Sequence, residues 1–128
     1  MSVIDASALI EILLKDETAA KSRRLLSHDL FAPAILIPET VNALKKSARL
    51  KLVTKAIARD KVAYLSLLPI DLVPMQRLSL DIWELSDSFS AYDACYVSLA
   101  RQLEHTLITT DTKLAREAQR FVEVHILS

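Results

Sequence analysis

Four acidic residues follow short apolar stretches of this chain, at points where helices are predicted to begin. They are Asp5, Glu39, Asp93 and Asp111. Ionised carboxylates are the hard oxygen ligands that Mg²⁺ and Mn²⁺ take in proteins. If folding gathers these side chains, they form an anionic pocket suited to the chemistry of a bound divalent cation.

The elements that must position these acids alternate along the chain, in the pattern of βαβ units around a parallel sheet. Strands are predicted over residues 1–4, 30–34, 69–73 and 106–110, with a late edge strand over 121–127. Helices are predicted over residues 6–14, 18–27, 54–67, 75–88, 91–104 and 112–120, with a further helix beginning near residue 38. Right-handed crossovers place helices on both faces of such a sheet. We therefore expect one domain over residues 1–128, with a three-layer α/β/α fold and a central parallel sheet of four to five strands in which residues 1–4 are central.

Each acid also has a local structural explanation. Asp5 and Asp111 could be helix N-caps, each contributing about 1 kcal/mol. Asp93 stands at capping-box spacing from Ser90. Glu39 lies in a first helical turn, where the helix dipole favours negative charge.

The local explanations do not account for the shared location of the acids. A parallel sheet collects the carboxyl ends of its strands at one edge, and capping does not require four acids at the same edge. Two carboxylates about 5 Å apart repel each other by about 3 kcal/mol at an effective dielectric constant near 20. A divalent cation between them reverses the sign of that interaction, so the set favours a Mg²⁺ or Mn²⁺ site.

The composition excludes several classes of protein. The chain has no glycine, so it has neither the glycine-rich loop of P-loop NTPases nor the dinucleotide fingerprint of Rossmann dehydrogenases. Left-handed turns and helix C-caps must be made by other residues, such as Asn or Ser, or be avoided. No apolar run reaches the roughly 18 residues of a membrane span, and no secretory signal is recognised. Cys95 is the sole cysteine, which precludes an internal disulfide and, with the other features, indicates a cytoplasmic protein.

The net charge is zero, which argues against nonspecific coating of nucleic acid. Basic residues are nevertheless concentrated in one stretch. They are Lys45, Lys46, Arg49, Lys51, Lys55, Arg59 and Lys61. This stretch is either a solvated helix face or a surface that receives phosphates beside the acidic site, and for the second function we select Lys45, Lys46 and Arg49 as substrate-binding candidates.

Other residues with functional potential are assigned to packing or to the surface. Tyr92 and Tyr96 share a helical face with Leu99 and Leu103 and are expected in the core. Trp83 is expected in packing or at a protein interface. The three histidines lie in separate elements, so the paired-histidine chemistry of metal-free ribonucleases is not expected. They are His28, His105 and His125.

The segments that carry the acids are VIDASAL (3–9), PETVNAL (38–44), SAYDACYVSLA (90–100) and LITTDTKLA (107–115). Their order and spacing resemble the PIN-domain family, and most closely the VapC toxins of prokaryotic toxin–antitoxin pairs, over essentially the whole chain. Each motif is short, and the four-part order makes the match specific. One departure is Phe89, because relatives often carry glycine in the loop before Ser90.

The resemblance implies a small α/β/α endoribonuclease that cuts single-stranded RNA with Mg²⁺ or Mn²⁺. The catalytic acids map onto Asp5, Glu39, Asp93 and Asp111. Asp5 and Asp111 are expected as direct metal ligands, and Asp93 as a ligand directly or through water. Glu39 is expected to orient or deprotonate the attacking water.

Three polar residues beside the acids complete this hypothesis. Ser7 and Thr109 match the hydroxyl positions of the family and are expected to fix carboxylate rotamers, and Asn42 matches a polar position one helical turn after Glu39. The resemblance also implies a homodimer and a cognate VapB-like antitoxin.

The sequence leaves two alternative functions open. A receiver-like signalling module shares the chain length and an acidic magnesium site, with Asp71 as the candidate phosphoacceptor, although its paired acids and late lysine are missing. A PIN-like chain that binds RNA or protein without cutting is the second alternative.

Overall fold

The computed structural model describes residues 1–15, 24, 26 and 29–127. Apart from Arg24 and Leu26, the helix predicted over residues 18–27 lies outside the described residues, as does His28. Within the described ranges, no helix is long and apolar enough to cross a membrane.

The described part of the chain contains one five-stranded sheet. Its strands are β1 (Ser2–Ile4), β2 (Leu30–Pro33), β3 (Ile70–Val73), β4 (Thr106–Thr109) and β5 (Val124–Ile126). Their order is β3-β2-β1-β4-β5, and every neighbouring pair is parallel. The predicted central position of β1 and edge position of β5 are confirmed. The chain proceeds outward from β1 on one side and from β4 on the other, so the topological switch point lies between these two strands.

Helices complete a three-layer α/β arrangement, which confirms the predicted fold class. Within the described ranges they are α1 (Ala6–Leu14), α2 (Leu36–Arg49), α3 (Lys55–Leu65), α4 (Ser79–Leu85), α5 (Ala91–Leu103) and α6 (Thr112–Ala118), with a 3₁₀ turn at Gln76–Leu78 before α4. Helix α1 packs against α2, while α5 packs against α4 and lies across β1, β2 and β4. The central strands are therefore covered, and Val3, Ile4 and Leu107 are completely buried. Burial of consecutive apolar residues is characteristic of parallel strands enclosed by helices.

Three boundaries differ from the sequence-based predictions. Helix α2 begins at Leu36, two residues before Pro38. Pro38 is tolerated in the first turn because the first N–H groups of a helix have no intrahelical acceptor, so a proline there loses no hydrogen bond. The helix predicted over residues 75–88 is replaced by the 3₁₀ turn and the short α4. The edge strand begins only at Val124, since the amides of Phe121 and Val122 bond back to the carbonyl of Ala118 and prolong the turn after α6.

Two helices end in left-handed residues that are not glycine. Lys51 and Glu104 have φ angles of 59° and 56°, so residues other than glycine make these turns, as expected, although neither is Asn or Ser. After α5, the amide of Glu104 bonds to the carbonyl of Arg101 at 3.2 Å, and the amide of His105 bonds to the carbonyl of Ala100 at 2.9 Å. These two bonds form a Schellman motif, which saturates the last carbonyls of the helix and selects the left-handed conformation.

Replacing Glu104 with glycine is expected to stabilise the protein, because a residue with a Cβ is strained in the left-handed region. Glycine also loses more backbone entropy on folding, so we expect a net gain of about 0.5–1 kcal/mol. Urea unfolding measures this gain. Gln102→Gly, two residues earlier within α5, is the matched control. It should lower the free energy of unfolding by about 0.5–1 kcal/mol, because glycine is unfavourable within a helix. Equal destabilisation by both substitutions would contradict the assigned strain.

Candidate active site

The four acids follow or flank the carboxyl ends of the strands. Asp5 directly follows the central strand β1, and Asp111 lies two residues after β4 on the other side of the switch point. Glu39 lies in the first turn of α2, which follows β2. Asp93 lies in the first turn of α5, and α5 runs back to the start of β4, so its amino end lies at the same carboxyl edge. The topology therefore directs all four acids to the edge where open α/β sheets bind ligands.

Asp5 is the most deeply buried of the four acids, with 5% of its surface exposed. As the N-cap of α1, its Oδ1 accepts the amide of Ala8 at 2.9 Å. The same oxygen accepts the Ser7 hydroxyl at 2.7 Å, and Oδ2 accepts the Thr109 hydroxyl at 2.5 Å. A buried carboxylate without such donors would be strongly destabilising, so these contacts allow Asp5 to occupy the centre of the site.

The two hydroxyls also connect the segments that follow β1 and β4. Ser7 Oγ accepts the amide of Thr110 at 3.1 Å, and Thr109 Oγ1 accepts the amide of Asp111 at 3.0 Å. Each hydroxyl therefore donates to Asp5 and accepts from the β4–α6 connection. The position of Asp111 relative to Asp5 is set by this small network.

Asp111 and Asp93 both take part in helix capping, Asp111 through its carboxylate and Asp93 through its backbone amide. Asp111 Oδ1 accepts the amides of Lys113 and Leu114 at 3.0 and 3.1 Å as the N-cap of α6. Ser90 caps α5 by accepting the amide of Asp93 at 3.1 Å. The capping explanations made from the sequence are therefore correct for Asp5 and Asp111, and they coexist with the grouping of these acids at one edge.

The acids repel one another electrostatically. Burial raises the pKa of Asp5, the hydrogen bonds from Thr109, Ala8 and Ser7 oppose this rise, and the charge of Asp93 adds to it. Burial also raises the pKa of Asp93, with a further rise from the charge of Asp111 and an opposing effect of Ser90. Asp93 is thus coupled to an acid on each side, and the site is an anionic crevice.

Glu39 has a partner that sequence reasoning missed. The hydroxyl of Tyr96 donates to Glu39 Oε1 at 2.5 Å. Tyr96 is 2% exposed, so the prediction that its ring lies in the core agrees with its burial, but its polar end reaches the site. The available signal was its position three residues after Asp93, which places both side chains on one face of α5.

Two further aromatic residues that the sequence singled out are exposed. Tyr92, which was expected in the core, is 60% exposed; it precedes Asp93 and lies at the solvent face of α5. Trp83 on α4 is 75% exposed, so it does not serve core packing.

The remaining candidates lie farther along α2, on its surface. Asn42, Lys45, Lys46 and Arg49 are all exposed. Residues at i, i+3, i+7 and i+10 share one helix face. Glu39, Asn42, Lys46 and Arg49 have this spacing, whereas Lys45 lies to one side. A polar stripe therefore runs from the acidic crevice along α2.

The carboxylates are suitable ligands for a divalent cation, but they do not surround one site completely. Among the described residues, no three His, Cys, Asp or Glu side chains are grouped in a way that could hold one ion. Mg²⁺ usually retains several waters and is bound through one or two carboxylates together with substrate phosphates. The pairs Asp5–Asp93 and Asp93–Asp111, whose charges act on each other, supply carboxylates of that kind.

Comparison with known proteins identifies the family. The family model for the PIN domain matches residues 2–119, a range that includes all four acids. The chain belongs to the PIN-domain family. The similarity extends to ribonuclease VapC9 of Mycobacterium tuberculosis, which is 32% identical over 120 residues, covering 93% of this chain and 92% of the relative. Ribonuclease VapC12 of the same species is 29% identical over 129 residues, covering 100% of both chains.

A solved structure shows the same architecture. The crystal structure of PAE2754 from Pyrobaculum aerophilum superposes with a TM-score of 0.69 at 25% identity, covering 96% of this chain and 87% of that chain. Together, the family match and the near full-length VapC relatives make this chain a VapC-type PIN protein.

Asp93→Asn is expected to raise the melting temperature of the metal-free protein at pH 7 by a few degrees. The folded state raises the pKa of Asp93 above an unfolded value of about 3.9, so ionisation as the pH rises costs folding stability. Asparagine removes that cost. The advantage should shrink as the pH falls and disappear below about pH 4, where the carboxyl group is neutral in both states.

Thermal unfolding in EDTA at several pH values measures this effect. Asp71→Asn, at an exposed carboxylate within β3, is the control and should show no comparable dependence on pH. An Asp93→Asn advantage that persists unchanged below pH 4 would show that the repulsion assigned to Asp93 is not its source.

Proposed function

We propose that this protein is a divalent-metal-dependent endoribonuclease that cuts single-stranded RNA, with residues 1–128 acting as one nuclease domain. The observation that carries the proposal is the position of Asp5, Asp93 and Asp111 at the switch-point edge of the sheet, where their charges act on one another. Its relatives VapC9 and VapC12 are named ribonucleases, which supports RNA as the substrate.

The proposed metal ligands are Asp5, Asp93 and Asp111, used in pairs together with water and the RNA phosphate. These residues would hold a Mg²⁺ or Mn²⁺ ion, which would supply an acidified water and positive charge beside the phosphate. Asp5 contributes a carboxylate whose orientation is already set by Ser7 and Thr109. Such preorganisation reduces the loss of side-chain freedom when the site is loaded.

Glu39 is proposed to orient or deprotonate the water that attacks the phosphodiester. Its Oε1 is engaged by Tyr96, which leaves Oε2 to accept a hydrogen bond from water. A carboxylate within hydrogen-bond reach of the nucleophile is the requirement for a general base. In-line attack by this water yields a 5′-phosphate and a 3′-hydroxyl.

The stripe on α2 is proposed to bind the RNA backbone. Along a helix with a rise of 1.5 Å per residue, Lys46 lies about 10 Å and Arg49 about 15 Å from Glu39. These spacings suit phosphates one to three nucleotides from the cut. Asn42 lies between Glu39 and the two cations, and Lys45 borders the same track.

The proposed biological role is the toxin component of a VapBC pair in the cytoplasm. An antitoxin of the VapB type would cover the acidic crevice with basic and apolar side chains. Its basic groups would complement the acids, and its apolar groups would pack on neighbouring apolar surface. Exposed Tyr92 beside Asp93 and exposed Trp83 on α4 provide apolar surface on these helices. A homodimer is proposed as the working assembly.

The alternative functions are less well supported. Asp71, the phosphoacceptor of the receiver interpretation, is the second residue of β3 and pairs with Phe31 at an edge of the sheet. It does not follow a central strand, as the acidic site of a doubly wound sheet does. A PIN protein that does not cut remains distinguishable by assay.

Cleavage of single-stranded RNA is expected in Mg²⁺ or Mn²⁺ and is expected to cease in EDTA. Asp5→Asn should lower the cleavage rate at least about 100-fold, because metal ligands contribute several kcal/mol to the transition state. The measurement is the initial rate on a 5′-labelled oligonucleotide, with sizing of the products.

Asp71→Asn removes one carboxylate outside the site and should cleave at the wild-type rate. Robust cleavage in EDTA together with activity of the Asp5→Asn variant would refute the metal-dependent mechanism. RNA binding without cleavage by the wild-type protein would favour the non-cutting alternative.

The double substitution Lys46→Ala and Arg49→Ala is expected to raise KM for RNA about 5–30-fold with kcat changed less than about twofold, because uniform binding energy is lost. The logarithmic salt dependence of binding should flatten by about 0.7 per lost phosphate contact. Lys55→Ala with Arg59→Ala, two exposed cations on α3, is the control with the same change in charge. An equal rise in KM for both double variants would indicate a general charge effect and not a track along α2.

A further inference from the structure

The four acids differ in how their side chains are held. Asp111 is oriented by backbone amides of its own helix, and the Asp93 amide is capped by Ser90 three residues before it. Asp5 combines a local amide with the hydroxyls of Ser7 and Thr109. Glu39 lies in the fourth position of α2 and is not a cap, so no comparable local amide orients its carboxylate.

The contact that orients Glu39 comes from another helix. The Tyr96 hydroxyl, 57 residues away in sequence, donates to Oε1 at 2.5 Å. Among the described residues, no other hydrogen bond to the Glu39 carboxylate is found. The charge of Glu39 also acts on Cys95, whose thiol pKa is raised by burial and then by Glu39. The interactions of two adjacent residues of α5, Cys95 and Tyr96, therefore indicate that Glu39 faces this helix.

Tyr96 is well suited to hold a flexible carboxylate. Its ring is buried, as are its neighbours Val97 through Ala100 on α5, and α5 lies against β1, β2 and β4. Packing leaves the ring little freedom, so the hydroxyl is presented at a fixed point. Glutamate has three side-chain torsions and, on its own, would sample several rotamers.

We propose that Tyr96 is a positioning residue that acts through Glu39, holding Oε1 so that Oε2 faces the crevice and the attacking water. The inference rests on the proposed ribonuclease function. Burial and Glu39 both raise the pKa of Tyr96, so its hydroxyl remains a donor throughout the working pH range.

The kinetic test uses Tyr96→Phe, which keeps the ring and removes the hydroxyl. We expect kcat to fall about 10–30-fold with KM for RNA changed less than about twofold, because the lost interaction orients a group that acts in the transition state. Tyr64→Phe, at a partly exposed tyrosine on α3, is the matched control and should retain the wild-type rate.

A double-variant comparison separates positioning from general damage. If Tyr96 acts only through Glu39, Tyr96→Phe should change the residual rate less than about twofold in a Glu39→Ala background. The proposal would be overturned if the double variant lost the product of the two single-variant rate factors, or if Tyr96→Phe kept the wild-type kcat.

Thermal unfolding tests the same pair without any need for activity. Glu39→Ala leaves the buried Tyr96 hydroxyl without its acceptor. A buried hydroxyl with no partner lowers the folding stability more than the removal of both hydrogen-bonding groups does. We therefore expect Tyr96→Phe to lower the melting temperature by about 3–5 °C in the wild-type background but not at all in Glu39→Ala. Strictly additive shifts would count against the coupling.

These measurements distinguish the failure of the two ideas. If the wild-type protein cuts no RNA under any metal condition, the proposed function fails, and the melting comparison still decides whether Tyr96 holds Glu39. If the wild-type protein cuts RNA but the two residues act independently by both criteria, the function stands and the positioning role is refuted.

Discussion

The burial of the Asp5 carboxylate at the end of the central strand is the constraint on which the rest of the site depends. A buried charge is tolerated only when it is hydrogen-bonded, and here Ala8, Ser7 and Thr109 supply the donors. The Thr109 bond requires β4 to lie beside β1 in the observed register, in which Ile4 is aligned with Ile108. Sheet pairing and the central carboxylate are therefore interdependent.

The donors do not fully offset the cost of this arrangement. Asp5 and Asp93 retain raised pKa values because burial and neighbouring acids oppose ionisation. At neutral pH the metal-free crevice is thus a source of instability. The same repulsion favours any ligand that brings positive charge, whether a divalent cation or the basic side chains of a protein partner. The repulsion therefore lowers the stability of the metal-free fold at the same edge of the sheet where we propose that ligands bind.

The site combines local and long-range control. Helix starts orient Asp5 and Asp111 through the backbone amides of α1 and α6, which places each acid by local contacts alone. Glu39 depends instead on Tyr96 of another helix, so its geometry responds to the packing of α5 against the sheet. Substitutions in the interior of α5 can therefore affect the site without touching any acid.

Much of the secondary structure could be predicted because its causes are local. Apolar periodicity located the strands and most helices, and acids at helix starts identified Asp5 and Asp111 as caps. The boundaries at Leu36 and Val124 were missed because they depend on which backbone amides find partners in the folded chain. The left-handed residues Lys51 and Glu104 were not identified, since without glycine the chain carries no local signal for a Schellman motif.

By itself, the sequence determined the α/β class, the order of the acid-bearing segments and the family they resemble, because these follow from residue type and spacing along the chain. Only the tertiary structure decided which groups satisfy those acids, that the Tyr96 hydroxyl reaches Glu39, and that Tyr92 faces solvent while Tyr96 is buried. The physical reason is that periodicity specifies the face of a helix approximately, whereas a hydrogen bond between residues 57 positions apart depends on how two helices and a sheet pack together.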